Sequence, residues 1–211
     1  MPLAVLALNC TLKSSPARSS TDKLLRQLLD AFREYDAAGE IVRVADLNIK
    51  PGVSADEGKG DEWPALRERV IACDILVIGS PIWLGQPSSI AKRVLERMDA
   101  FLDERDDMQR MPSYGKVGMA AVVGNEDGAH HVSAEVCQAL AEVGFTIPTG
   151  GVTYWVGEAM GDKNYVDLKK TPKAVAEWTP VLASNAAHLA KLLKASRYPG
   201  RKKESGRKKR S

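Results

Sequence analysis

The sequence predicts an α/β fold: a doubly wound, five-stranded parallel sheet in three layers, with helices on both faces. Three observations lead there. Apolar runs of strand length alternate with helix-period segments along most of the chain. The runs are continuously apolar rather than alternating, as expected of parallel strands covered on both faces. The loops after the first, third and fourth strands are long or rich in Gly, Pro and Ser, and all three would open on one edge of the sheet.

The first strand, Leu3 to Leu8, breaks into a hydroxyl-rich loop before a helix expected over Thr21 to Ala38, with Leu24, Leu25, Leu28, Leu29 and Phe32 on its apolar face. A second strand, Ile41 to Ala45, precedes a helix over Trp63 to Ala72. The third strand, Ile75 to Gly79, leads to a helix over Ser88 to Leu102, and the fourth, Val117 to Val123, to a helix over Val132 to Val143. Thr146 to Pro148 with Val152 to Trp155 form the fifth strand, and a last helix runs from near Pro172 to Ala195. No internal repeat or second domain is visible, so residues 1–195 read as one domain.

Charge is unevenly placed. The formal net charge is +3, but residues 196–211 hold eight bases and one acid, +7, which leaves −4 for the preceding 195 residues. This basic tail has almost no apolar content and is expected to be disordered. It could touch nucleic acid or anionic lipid, but it reads better as a solvated extension than as a nucleic-acid-binding element. Cys10, Cys73 and Cys137 are widely spaced, without a CxxC pair, so neither a disulfide framework nor a structural zinc site is indicated. Neither a signal peptide nor a membrane-spanning run is evident, and the expected location is the cytoplasm, without integral membrane contact.

The segment from Leu3 to Leu25 is the most informative. A helix N-terminus presents unpaired amides and a partial positive charge, so an anion placed there meets several donors at once. Thr11, Lys13, Ser15, Ser19, Ser20 and Thr21 are the candidate anion ligands, with Ser14 and Arg18 beside them. Simple capping by Ser20 or Thr21 would explain one hydroxyl. It does not explain the five hydroxyls of Ser14, Ser15, Ser19, Ser20 and Thr21 with the two bases Lys13 and Arg18 in one loop. After the third strand, Pro81, Gly85 and Pro87 hold the chain away from helix while Ile82, Trp83 and Leu84 offer flat apolar surface. A planar ring fits there, although Trp83 reads equally well as a helix-packing anchor.

These motifs resemble the flavodoxin-like NAD(P)H-dependent FMN reductase family. Gly79-Ser80-Pro81-Ile82-Trp83-Leu84-Gly85 is similar to its Gly-Ser-Pro-Val-Tyr-Trp-Gly flavin loop, and Asn9-Cys10-Thr11 through Ser19-Ser20-Thr21 to its phosphate loop, here longer and with changed opening residues. Gly124 to His131 falls where the family has a second flavin-ring loop, and the resemblance covers most of residues 3–155. It implies bound FMN, with Gly124, Asn125, Asp127, Gly128 and His130 beside the ring and the Gly124 to Gly128 amides stabilising charge near N1 and O2. It further implies NAD(P)H as a transient substrate, a small electron acceptor such as a quinone or flavin, and a homodimer or homotetramer. No catalytic side chain is required, since FMN carries the chemistry. Tyr154, Trp155 and the segment Gly157 to Tyr165 are expected to cover the flavin of the same or a neighbouring subunit.

Three rival readings fare less well. The segment after the second strand, Leu47 to Asp56, lacks the cysteine cluster of iron-sulfur flavoproteins. Seven residues separate Cys10 from Arg18, two more than the Cys-x5-Arg of low-molecular-weight tyrosine phosphatases, and no Asp-Pro dipeptide occurs. A flavodoxin-type single-electron carrier would be more strongly acidic than this body.

Overall fold

The computed structural model describes residues 2–159 and 161–202. In chain order the elements are β1 (Leu3–Asn9), α1 (Ser20–Phe32), β2 (Ala37–Arg43), α2 (Trp63–Ala72), β3 (Ile75–Trp83), β4 (Gln86–Pro87), α3 (Ser89–Arg97), β5 (Val117–Gly124), α4 (Ala129–Glu142), β6 (Val152–Val156) and α5 (Lys173–Ala195). The parallel strands are ordered β2-β1-β3-β5-β6, and the two-residue β4 pairs antiparallel with the end of β3. The three-layer α/β fold is the expected one.

Side chains on a strand alternate between faces, and the packing follows that period. Val5, Ala7, Ile75, Val77, Met119 and Ala121 face Leu24, Leu25 and Leu28 of α1 and Leu182, Ala183 and Ala186 of α5. Leu6, Leu8, Leu76, Ile78, Ala120 and Val122 face Trp63 of α2, Val94 of α3 and Val132 and Val136 of α4. The start of α1 lies close against β3: a Cβ at Gly79 would stand 2.7 Å from Leu25 Cδ1 and 2.9 Å from Thr21 Cγ2. At the β6 edge, the Trp178 indole of α5 donates to the Val152 carbonyl at 3.1 Å.

Several boundaries differ from expectation. Helix α1 ends at Phe32 and passes through a 3-10 turn, Arg33–Tyr35, to Asp36, whose φ of 57° stops it and starts β2 at Ala37. Thr146 makes a single bridge to Val117 and is not part of β6. The C-terminal segment is not wholly detached. Tyr198 packs edge-on against Tyr114 at 6.0 Å and accepts from the Thr146 hydroxyl at 3.2 Å, while the Arg201 amide donates to the Met108 carbonyl at 2.8 Å. Disorder from residue 196 therefore does not describe residues 196–202, because two aromatic rings and a backbone bond hold them. Residues 203–211 of the expected tail lie outside the described residues.

A buried ion pair fixes the long connection after β2. Arg97 Nη1 lies 2.7 Å from Asp61 Oδ2, both side chains fully buried. The guanidinium also donates to the Lys50 and Ser54 carbonyls, at 2.9 Å each, and stands over the Trp63 ring. Burial pushes the Asp61 carboxyl up, but the amides of Glu57, Lys50 and Trp63 together with Arg97 outweigh it and hold the pKa at about 2.

Candidate active site

The chain leaves β1 for β2 on one side and returns to β3 on the other, which opens a crevice at the carboxyl ends of the strands. A cleft of about 600 Å3 occupies it, within the usual range for small-molecule sites.

One end is built for an anion. Thr11, Lys13, Arg18, Ser19, Ser20 and Thr21 line it. Ser19 is the N-cap of α1, its hydroxyl accepting from the Asp22 amide at 3.1 Å. The amides of Ser20 and Thr21 find no acceptor among the described residues. The loop is shaped from behind. Asn9 Oδ1 accepts from the Thr11 amide at 3.1 Å, and Asp46 accepts from the Ser15 amide at 2.7 Å and hydroxyl at 2.6 Å. These Ser15 bonds hold the Asp46 carboxyl below the usual carboxylate range. Arg43, the last residue of β2, donates from Nη1 to the carbonyls of Lys13, Ser14 and Ala17.

The other end is flat and apolar. Strand β3 runs on through Pro81 and Ile82 to Trp83, turns at Leu84 and Gly85, and returns as β4. Leu84 and Gly85 have φ of 52° and 73°, the two consecutive left-handed residues of a two-residue hairpin. Trp83 is 52% and Leu84 91% exposed. The loop after β5 is locked to this hairpin: Glu126 accepts the Leu84 amide, and a Cβ at Gly128 would lie 2.6 Å from Gly85 Cα. Across the cleft, Trp155 is tilted on Tyr165 with ring centroids 5.2 Å apart. The segment after β6 is tied to the anion loop by the Arg18–Asp167 ion pair at 2.9 Å and by Ser20 Oγ accepting from the Val166 amide at 3.2 Å. Lys23 Nζ donates to the Tyr165 and Leu168 carbonyls at 3.1 and 2.7 Å, and Tyr165 donates to Gln27.

Thr11, Lys13, Ser19, Ser20, Thr21, Pro81, Ile82, Trp83, Leu84, Gly124 and Asn125, expected from sequence, all line this cleft. Trp155 and Tyr165 join them, as does Glu126. Five expected residues stand outside. Ser15 is turned away to Asp46, Gly85 and Gly128 are consumed in their mutual contact, and Asp127 is exposed beside them. His130 faces the opposite side, bonded to Tyr154 at 3.1 Å along a separate groove, so Tyr154 is not in the cleft either.

Sequence reasoning passed over Arg43, Asp46, Glu126 and Ser88. Ser88 caps α3, accepting from the Ala91 amide at 3.1 Å, and donates to the Cys10 carbonyl at 2.6 Å, joining the two loops. Its only signal was a Ser directly before an apolar-periodic helix. Cys10 is buried, and desolvation pushes its thiol well above its ordinary range, the reverse of an activated nucleophile.

Free amides, hydroxyls and two cations at one end, with an exposed indole and leucine at the other, suit a phosphate joined to a planar ring. Fold and site together define a flavodoxin-like flavoprotein. The chain belongs to the NADPH-dependent FMN reductase family, whose pattern matches residues 3–160. It is an NAD(P)H-dependent FMN oxidoreductase with FMN as its flavin. It is 33% identical over 212 residues to the 8-demethyl-8-aminoriboflavin-5'-phosphate synthase of Streptomyces davaonensis, covering 94% of this chain and 81% of that one. A crystal structure of RosB with bound 8-demethyl-8-formylriboflavin-5'-phosphate matches with a TM-score of 0.86 at 33% identity, over 93% of this chain and 82% of that one. An FMN-dependent NADPH-azoreductase of Staphylococcus aureus is 26% identical over 147 residues, 67% of this chain and 73% of its own. A Mycobacterium bovis relative named as a divalent metal cation transporter, MntH, is 36% identical over 200 residues, which are 92% of this chain and 29% of that protein. No helix among the described residues is long and apolar enough to cross a membrane.

Proposed function

We propose that the protein passes reducing equivalents from NAD(P)H through FMN to a quinone, free flavin or similar small acceptor, in the cytoplasm and as a homo-oligomer. The observation that carries this reading is the cleft itself, polar and cationic at the α1 end and walled by exposed Trp83 and Leu84 at the other. FMN, when bound, supplies hydride and electron transfer. The chain's residues would hold and orient it: Ser19, Ser20 and Thr21 with Lys13 and Arg18 would take the phosphate, and Trp83, Leu84, Trp155 and the Gly124 to Glu126 segment would hold the ring system. One open face serves both substrates, so nicotinamide must leave before the acceptor stacks. Steady-state kinetics with NADH or NADPH against a panel of quinones, flavins and azo compounds tests this, with ping-pong patterns expected. Flavin left oxidised by both nucleotides under anaerobic conditions would overturn it.

A second reading has its own support. The match to the flavin-modifying relative spans 94% of the chain, so a flavin 5'-phosphate is also a candidate substrate, altered at its 8-position. Mass analysis of flavin recovered after turnover separates the two, since the reductase returns FMN unchanged.

A further inference from the structure

We propose that Arg43 is a positioning residue for the anion loop, setting the affinity for the phosphate of FMN without touching it. The inference rests on reading that loop as the phosphate site. Arg43 does not line the cleft. It stands behind the loop, its side chain 13% exposed, with Nη1 at 3.5, 3.3 and 2.7 Å from the carbonyls of Lys13, Ser14 and Ala17, and Nη2 at 3.9 Å from Asp22 Oδ1. A trans peptide unit is planar, so its C=O and N–H point in opposite directions. Holding the Ala17 carbonyl on Arg43 sends the Arg18 amide the other way, toward the side on which Arg18, Ser19 and Ser20 line the cleft. The Lys13 carbonyl does the same for the Ser14 amide. Asp46 anchors the intervening Ser15 by its amide and hydroxyl. The Lys13 and Ala17 carbonyls are thus drawn back to the β2 side, while the peptide between Ser14 and Ser15 is held at both ends, by Arg43 and Asp46, and gives no donor to the cleft; a free loop of this length would not keep that arrangement.

Lysine keeps the charge but lacks the planar fork that reaches several carbonyls, so charge and geometry can be separated. The test measures FMN and riboflavin dissociation constants, by quenching of flavin fluorescence, for the full chain and for Arg43→Gln and Arg43→Lys. Wild-type protein should prefer FMN. Arg43→Gln should weaken FMN by about ten- to a hundredfold and leave riboflavin within about twofold, with Arg43→Lys intermediate. Equal weakening of both flavins, unchanged FMN affinity, or complete rescue by lysine would overturn the proposal. If Arg43→Gln does not fold, the FMN-to-riboflavin ratio of Arg43→Lys decides by itself. A wild type without preference for FMN would sink the phosphate-site reading instead.

Discussion

Glu126 Oε1 accepts the backbone N–H of Leu84 at 2.8 Å, so the loop after β5 holds the tip of the β3 hairpin in place. Leu84 sits there with a φ of 52° and a side chain almost wholly in solvent. A left-handed leucine is strained by about 1–2 kcal/mol, and it contributes nothing to the core. It lies on the wall of the cleft, the surface proposed to meet the substrates.

Leu84→Gly should therefore leave stability within about 1 kcal/mol, because relief of strain is offset by about 0.4–1 kcal/mol of added freedom in the unfolded chain. Acceptor KM should rise by a larger factor than the FMN dissociation constant. Urea denaturation and steady-state kinetics check both, and an unaltered KM would remove Leu84 from the substrate surface.

Ser20→Glu should weaken FMN by about two orders of magnitude or more, since like charges set against one another cost several kcal/mol. Ser20 is the better site for this than Thr21, which is buried against Gly79 and would be misfolded by a charge. Arg33→Glu, at the far end of α1 and paired with exposed Asp30, should bind FMN as before. Equilibrium dialysis against FMN would show the contrast.

Asp61 gives the fold an acid dependence with a definite sign. Its folded pKa of about 2 lies below the unfolded value, so its stabilisation is complete above the unfolded pKa, about 3.9, and is lost as pH falls from there toward 2. Removing the carboxylate with Asp61→Ala strands Arg97 and should cost about 3–5 kcal/mol. Thermal melts from pH 2 to 7 should show the variant destabilised at neutral pH and less pH-dependent below 4.

Truncation should separate two parts of the C-terminus. Ending the chain after Lys202 should leave Tm and FMN content unchanged, whereas ending it after Ala195 removes the Tyr198–Tyr114 contact and the Arg201 backbone bond. That second truncation should lower Tm by several degrees, as about 1 kcal/mol does in a domain of this size. Differential scanning calorimetry of both chains decides it.

Legibility in the sequence followed burial. The central strands β1 and β5 are apolar on both faces and were read nearly to their ends, but β2 lies at an edge, with exposed Ala38, Gly39 and Glu40, and shows no apolar run before Ile41. Strand β3 outlasts its apolar run because Ile82 and Trp83 pair with β4 beyond the main sheet. Loop residues with their own chemistry, Ser19 to Thr21 and Pro81 to Leu84, were legible from hydroxyls, charge and turn formers. Arg43 and Asp46 were not, because a side chain that binds backbone carbonyls or amides thirty residues away leaves no spacing in the sequence. The direction of His130, the second residue of α4, toward Tyr154 was not legible either, because its partner lies on a strand twenty-four residues on.

The indole of Trp178 on the Val152 carbonyl bears on behaviour in crowded solution. Strand β6 is the last of the sheet, and an uncovered final strand offers a row of donors and acceptors on which another chain can align and aggregate. With one of its carbonyls already engaged and a bulky ring lying over the border, an incoming strand meets an obstacle in place of a template. A single side chain of α5, on the far side of the molecule from the anion loop, thus blunts the start of this edge against strand addition.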